Sequence, residues 1–270
     1  MIEITCSGMK TEKIGRRRRR AGIASFFLLI LSAVLAAARQ SPPLPKAESI
    51  LDAFVEKSGG RAVFDKIANR RTTATMTMSV LPSPAEVTTY LTKAGPYRVV
   101  VNSQAFGTME FGSDGRTFWE INSISGPKIW EGLESKRFQF LYSLDLPMRW
   151  REVFKKVECT ALETVEERPV FKVAAISLED YPVTYYFDQV SRLLVKIACP
   201  METVAGKSMQ EIFQRDYKDI NGALFPYIQV RRELGREMTL TFKTVEYNVE
   251  IPEGTFALPE AIRKISKTGK

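Results

Sequence analysis

The side chains able to do chemistry are few in this 270-residue chain, and what is missing excludes whole classes of reaction. Histidine is absent throughout. Without an imidazole there is no Ser-His-Asp or Cys-His nucleophilic site, and the commonest metal ligand is gone. Cys159 and Cys199 are the only cysteines beyond the N-terminal segment, too few for a thiolate zinc site, so neither metal nor cofactor is expected. The strand pattern described below sets the two cysteines three strands apart, about 14 Å at about 4.8 Å per strand, which is beyond disulfide reach. They read as small buried hydrophobes. The remaining catalytic option is a carboxylate pair, as in glycoside hydrolysis, held about 5 to 9 Å apart across a cleft. Glu131 and Glu134 are near neighbours, but they stand at a predicted helix start, where the helix dipole favours solvated acids. A non-enzymatic protein is expected.

What the chain does offer is apolar and adaptable. Met76, Met78, Met109 and Met238 all fall where strand alternation puts them on an apolar face. Methionine repacks readily and suits walls that meet ligands of varied shape, although plain core is the competing use. Trp119, Trp130, Leu133 and Phe140 belong to the stretch Glu110 to Phe140, which reads as a sheet handing over to a lid. These eight residues are the candidate lining of a hydrophobic ligand site.

The elements that must position them follow from periodicity. Residues 48–57 carry Ile50, Leu51, Phe54 and Val55 on one helical face and stop at Gly59-Gly60. A second short helix holds Val63, Phe64 and Ile67. From Thr72 the period becomes two, with Ala74, Met76, Met78 and Val80 on one face, then Val87, Thr89 and Leu91, then Tyr97, Val99 and Val101. Asp114-Gly115 predicts a two-residue hairpin and Gly126-Pro127 a break, after which residues 133–144 have helical spacing. Trp150 sits in an aromatic-basic link, expected solvated and half-buried. Further strands are predicted over 154–163, 169–177, 182–187, 192–203, 207–218, 223–233 and 237–248, with a hairpin at Asn221-Gly222 and a phase slip at Thr244 that marks a bulge. About a dozen strands joined by turns make an antiparallel meander that must curl, and the helices' apolar faces belong in its hollow.

The formal net charge of +8 is misleading, because residues 1–38 contribute +5 of it. Arg16 to Arg20 precede the apolar run Ala21 to Ala38, with small residues at its end: the form of a secretory signal peptide with cleavage before Arg39, Met9 being an alternative start. An uncleaved membrane anchor is the alternative, and both place the rest outside the cytoplasm. Residues 39–46 form a proline-rich linker, and the domain is expected over 47–265. Nucleic acid is not an expected partner, since the basic excess is an address.

Five strings in order resemble the periplasmic lipoprotein-carrier (LolA-like) family, in particular its outer-membrane lipoprotein-sorting branch: ILDAFVEKSGGRAVFDKI at 50–67, FGSDGRTFWEINSISGPKIWEG at 111–132, YYFDQVSRLLVK at 185–196, RDYKDINGALFPYIQV at 215–230 and VEYNVEIPEGTFALP at 245–259. The resemblance implies a mainly β (α+β) fold: a strongly curved, unclosed antiparallel sheet, or half-barrel, with short helices capping its concave face. It also implies a monomeric periplasmic protein, or one anchored in the inner membrane and facing the periplasm, that binds lipid or lipoprotein acyl chains as carrier or chaperone. A regulatory or scaffold module of the envelope that senses a lipoprotein or binds a protein partner, including membrane proteins, is the alternative.

Overall fold

The computed structural model describes residues 43–144, 146–203 and 206–268. The expected leader, 1–38, lies outside the described residues. Helix α1 (Ala47–Lys57) buries Ile50, Leu51, Phe54 and Val55, as its apolar stripe requires, and a single turn, α2 (Arg61–Phe64), follows. The chain then forms β1 (Asn69–Met78), β2 (Ala85–Thr92), β3 (Tyr97–Ser103), β4 (Gly107–Ser113), β5 (Phe118–Asn122) and β6 (Gly126–Trp130). Helix α3 (Gly132–Leu141), a 3-10 turn (Leu146–Arg149) and α4 (Trp150–Val153) intervene. Seven strands complete the sheet: β7 (Phe154–Val165), β8 (Arg168–Ser177), β9 (Pro182–Asp188), β10 (Leu194–Thr203), β11 (Gly206–Ile220), β12 (Ala223–Glu233) and β13 (Arg236–Tyr247). A last helix, α5 (Glu260–Thr268), adds to the expected elements and packs on β6.

All neighbours pair antiparallel, in the order β6-β5-β4-β3-β2-β1-β13-β12-β11-β10-β9-β8-β7. The meander is thus two meanders joined where β1 pairs with β13. Strands β6 and β7, consecutive in sequence, occupy opposite edges. The chain must therefore cross the open side of the sheet between them, and α3 and α4 lie on that crossing.

The bulge falls where the phase slips: Thr73 faces Thr244 while Ala74 faces Phe242, so Lys243 is the extra residue. At the β11–β12 turn, Ile220 faces Ala223 and both Asn221 (φ 54°) and Gly222 (φ 88°) are left-handed, the two-residue hairpin expected of Asn-Gly. Asp114-Gly115 departs from expectation. Ser113 faces Phe118 across a four-residue loop, in which Asp114 Oδ1 accepts the N–H groups of Arg116 (2.9 Å) and Thr117 (2.8 Å). Gly126-Pro127 does not break the sheet; it opens β6, with Pro127 facing Ile121. An edge strand tolerates proline because its outward N–H would have no partner in the ladder.

Helix α1 is seated by close backbone approach. Ser58 O accepts the N–H of Leu224 (2.8 Å), and Gly59 (φ 126°) stands so near the β11–β12 turn that a Cβ there would lie 2.2 Å from Gly222 O. Gly59→Ala is therefore expected to lower unfolding free energy by on the order of 3 kcal/mol. Urea denaturation should show the midpoint falling with little change in slope.

Leu51 and Phe54 pack with Phe140, Tyr185, Phe187 and Cys199 on the β7–β11 half of the concave face. Val87, Leu91, Val99, Val101, Phe138 and Leu240 pack on the other half. Cys159 and Cys199 are buried and free, on strands three apart in the sheet. Trp150 corrects its expectation: it is buried, and its Nε1 donates to Asp52 Oδ1 (3.2 Å). The Arg151 fork donates to both oxygens of Asp52 (2.6 Å each) and holds that carboxyl below the usual carboxylate range. The link is a docking joint between α4 and α1, because its aromatic-basic pair meets an acid ninety-odd residues away that local sequence does not show.

Candidate functional site: a lined hollow under the crossing helix

Strand alternation and register assemble the hollow row by row. Ala74 faces Val87, which faces Val101, which faces Met109; Thr72 leads likewise through Thr89 and Val99 to Phe111. On the other side Met76 faces Leu240 and Met78 faces Met238. These side chains bound a cavity of about 400 Å³, closed above by Phe138, Leu141 and Tyr142 of the crossing segment. That volume lies at the lower end of the range for small-molecule pockets. An aromatic stack holds α3 to the sheet: Tyr142 lies parallel to Tyr97 (centroids 4.8 Å), and Phe138 packs on Trp130 (5.5 Å) and Phe111 (5.8 Å). Burial there pushes the Tyr97 phenol above its ordinary range. A smaller cavity of about 160 Å³ adjoins, sharing Arg70, Leu141, Phe225, Gln229 and Arg231 with the first.

Five of the eight candidate residues come together. Met76, Met78, Met109, Trp130 and Met238 all line the larger hollow. Trp119 does not, because alternation turns it away: it shares a row with Arg98, Gly112 and Ile129 on the opposite face of the sheet. It is fully buried there beneath Arg98, whose Nη1 donates to Thr255 O (3.1 Å) of the C-terminal segment. Gly112 makes room for it, since a Cβ would meet the indole at 3.0 Å. Leu133 and Phe140 fall on the neighbouring face of α3. Leu133 packs into the α1 half of the core, and Phe140 stacks among Tyr181 (5.5 Å), Tyr185 (6.2 Å) and Phe154 (6.5 Å), reaching only the smaller cavity.

Glu134 overturns its solvated reading. It is 5% exposed, and its Oε2 accepts from Arg137 Nη2 (2.7 Å) and Nε (3.0 Å) while Oε1 accepts the N–H of Glu202 (2.8 Å) on β10. Burial works against the Arg137 charge, but its bonds to Glu134 outweigh that and leave its pKa raised. Arg137 Nη1 also reaches Gln210 Oε1 (3.4 Å), and Gln210 donates to Glu233 (2.5 Å). This chain ties the crossing helix to β10, β11 and β12. A Glu and an Arg three apart on a helix with aromatics on two faces was the available signal.

The carboxylates that line the larger hollow are Glu120, Glu233 and Glu237, the last two joined to neighbouring side chains by hydrogen bonds. Glu131 is exposed, Glu237 accepts from Arg232 (2.7 Å), and Glu120 accepts from Asn122 (3.4 Å). Burial raises both cysteine thiols, which makes them poor nucleophiles. Among the described residues no cluster of His, Cys, Asp and Glu could hold a metal ion. Trp130 Nε1 and Arg231 Nε are among the lining atoms buried without a hydrogen-bond partner, a cost of about 1–3 kcal/mol each.

The fold and hollow together define an unclosed antiparallel half-barrel with a methionine-rich hollow of about 400 Å³. No family model and no curated protein sequence matches the chain. Solved structures do match. A LolA superfamily protein from Nitrosomonas europaea superposes with TM-score 0.51 at 13% identity, covering 79% of this chain and 98% of its own. A domain described as outer membrane lipoprotein-sorting, from Vibrio parahaemolyticus, gives TM-score 0.53 at 12% identity, covering 78% and 97%. The chain has the fold of the LolA superfamily.

Proposed function

We propose that this chain is a non-enzymatic envelope protein that takes the acyl chains of a lipid or lipoprotein into its hollow and shields them from water, as carrier or chaperone. The observation that carries this reading is the methionine-rich chamber beneath α3. Each methylene moved from water into such a chamber is worth about 0.8 kcal/mol, so one ordinary chain supplies several kcal/mol after ordering costs. The arginine-led apolar leader expected over 1–38 supports export, and the lipoprotein-sorting fold from Vibrio supports an envelope role. Among the described residues no helix is long and apolar enough to cross a membrane.

Titration of the purified protein with a fluorescent fatty acid tests the proposal, alongside native mass spectrometry for co-purifying lipid. Met238→Glu, which sets a charge on a half-buried wall position, is expected to weaken binding at least about 10-fold while changing stability by less than about 1 kcal/mol. Phe140→Ser is expected to act the other way round, costing about 3–5 kcal/mol of stability as a core residue. A wild-type protein that neither binds the fatty acid nor carries lipid would sink the carrier reading.

A further inference from the structure

The two cavities meet at Leu141 and Phe225 together with three polar side chains, Arg70, Gln229 and Arg231. Arg231 lines both, beside Gln229. Of the charged residues lining the smaller cavity, both are arginines, Arg70 and Arg231. Arg70 is engaged, lying over the Phe225 ring (4.8 Å) and against Tyr247. Arg231 is different. Among the described residues it makes no ion pair; its Nη1 has one long bond to Tyr142 Oη (3.4 Å), and its Nε is buried with no acceptor. The three carboxylates that line the larger hollow accept from other groups, Glu233 from Gln210, Glu237 from Arg232 and Glu120 from Asn122, and none of them pairs with Arg231. Register places Arg231 opposite Met238, which faces Met78, so the guanidinium stands at the edge of the methionine wall.

A guanidinium that makes no ion pair and whose Nε is buried with no acceptor is costly unless a ligand oxygen completes it. The guanidinium fork fits planar carboxylate or phosphate oxygens in pairs. We infer that the ligand is an amphiphile with an anionic head, a carboxylate or a phosphate ester, held at Arg231 with its acyl chain in the methionine-lined chamber. This rests on the carrier reading and adds the charge and position of the head.

Displacement of a fluorescent fatty acid by dodecanoate, dodecyl phosphate, dodecanol and inorganic phosphate, at pH 8 and low salt, tests it. Wild type is expected to bind the two anionic amphiphiles about 10-fold more tightly than dodecanol. Arg231→Met should remove that preference by weakening the anions alone, with dodecanol affinity kept as proof of an intact chamber, and Arg231→Lys should restore part of it. Inorganic phosphate should displace nothing at millimolar concentration. Equal affinities in wild type, an anion preference that survives Arg231→Met, or displacement by inorganic phosphate would each overturn the inference. Binding of dodecanol without preference leaves the carrier reading standing, whereas no binding of any amphiphile overturns both.

Discussion

Glu134→Ala is expected to cost about 3–5 kcal/mol of stability, an effect of the size seen when one partner of a buried ion pair is removed. The reason is that Arg137, 8% exposed, would keep its charge in the interior with its main acceptor gone. The Glu202 N–H would also lose its acceptor. Thermal unfolding followed by circular dichroism measures the loss. A second variant separates charge from packing: in Glu134→Gln with Arg137→Met, neither charge remains, and most of the lost stability should return. If Glu134→Ala unfolds at the wild-type temperature, the pair is not holding the crossing helix, and Phe138 and Tyr142 alone seat it.

Thr89→Trp should abolish acyl binding while leaving the fold intact. Thr89 is half-buried and points into the large hollow between Thr72 and Val99. An indole there takes the room of three or four methylenes, worth about 3 kcal/mol or about 100-fold in affinity. Because the side chain grows into open space, the overpacking penalty of a filled core does not apply. Fatty-acid titration and thermal unfolding of the same preparation give the two readings. Unchanged affinity would show that ligands do not enter this chamber, and a collapse of stability would show that it is packed core.

These outcomes depend on features that differ in how far local sequence reveals them. Strand existence is local: alternation over Thr72 to Met78 or Tyr97 to Val101 is set by the pleat, and every predicted segment from Phe154 to Tyr247 is a strand. The bulge at Lys243 and the turn at Asn221-Gly222 are local too, one a slip of phase and the other a need for positive φ. Strand β6 escaped because Gly126-Pro127 is a breaker everywhere except at a sheet edge, and edge position is a property of the whole sheet.

The sequence by itself determined the strands, the two-residue periodicity that gathers Met76, Met78, Met109 and Met238 on one face, and, by lacking histidine, the kinds of chemistry that are closed to it. The tertiary structure decided the rest. Pairing of β1 with β13 and the separation of β6 from β7 are contacts between residues far apart in the chain, and only they force the crossing helix over the hollow. That crossing chose Phe138 over Phe140 and buried Glu134 with Arg137. It also left Arg231 in the lining of the hollow with its Nε buried and no ion pair, because burial and pairing depend on which distant residues arrive and not on the neighbours along the chain.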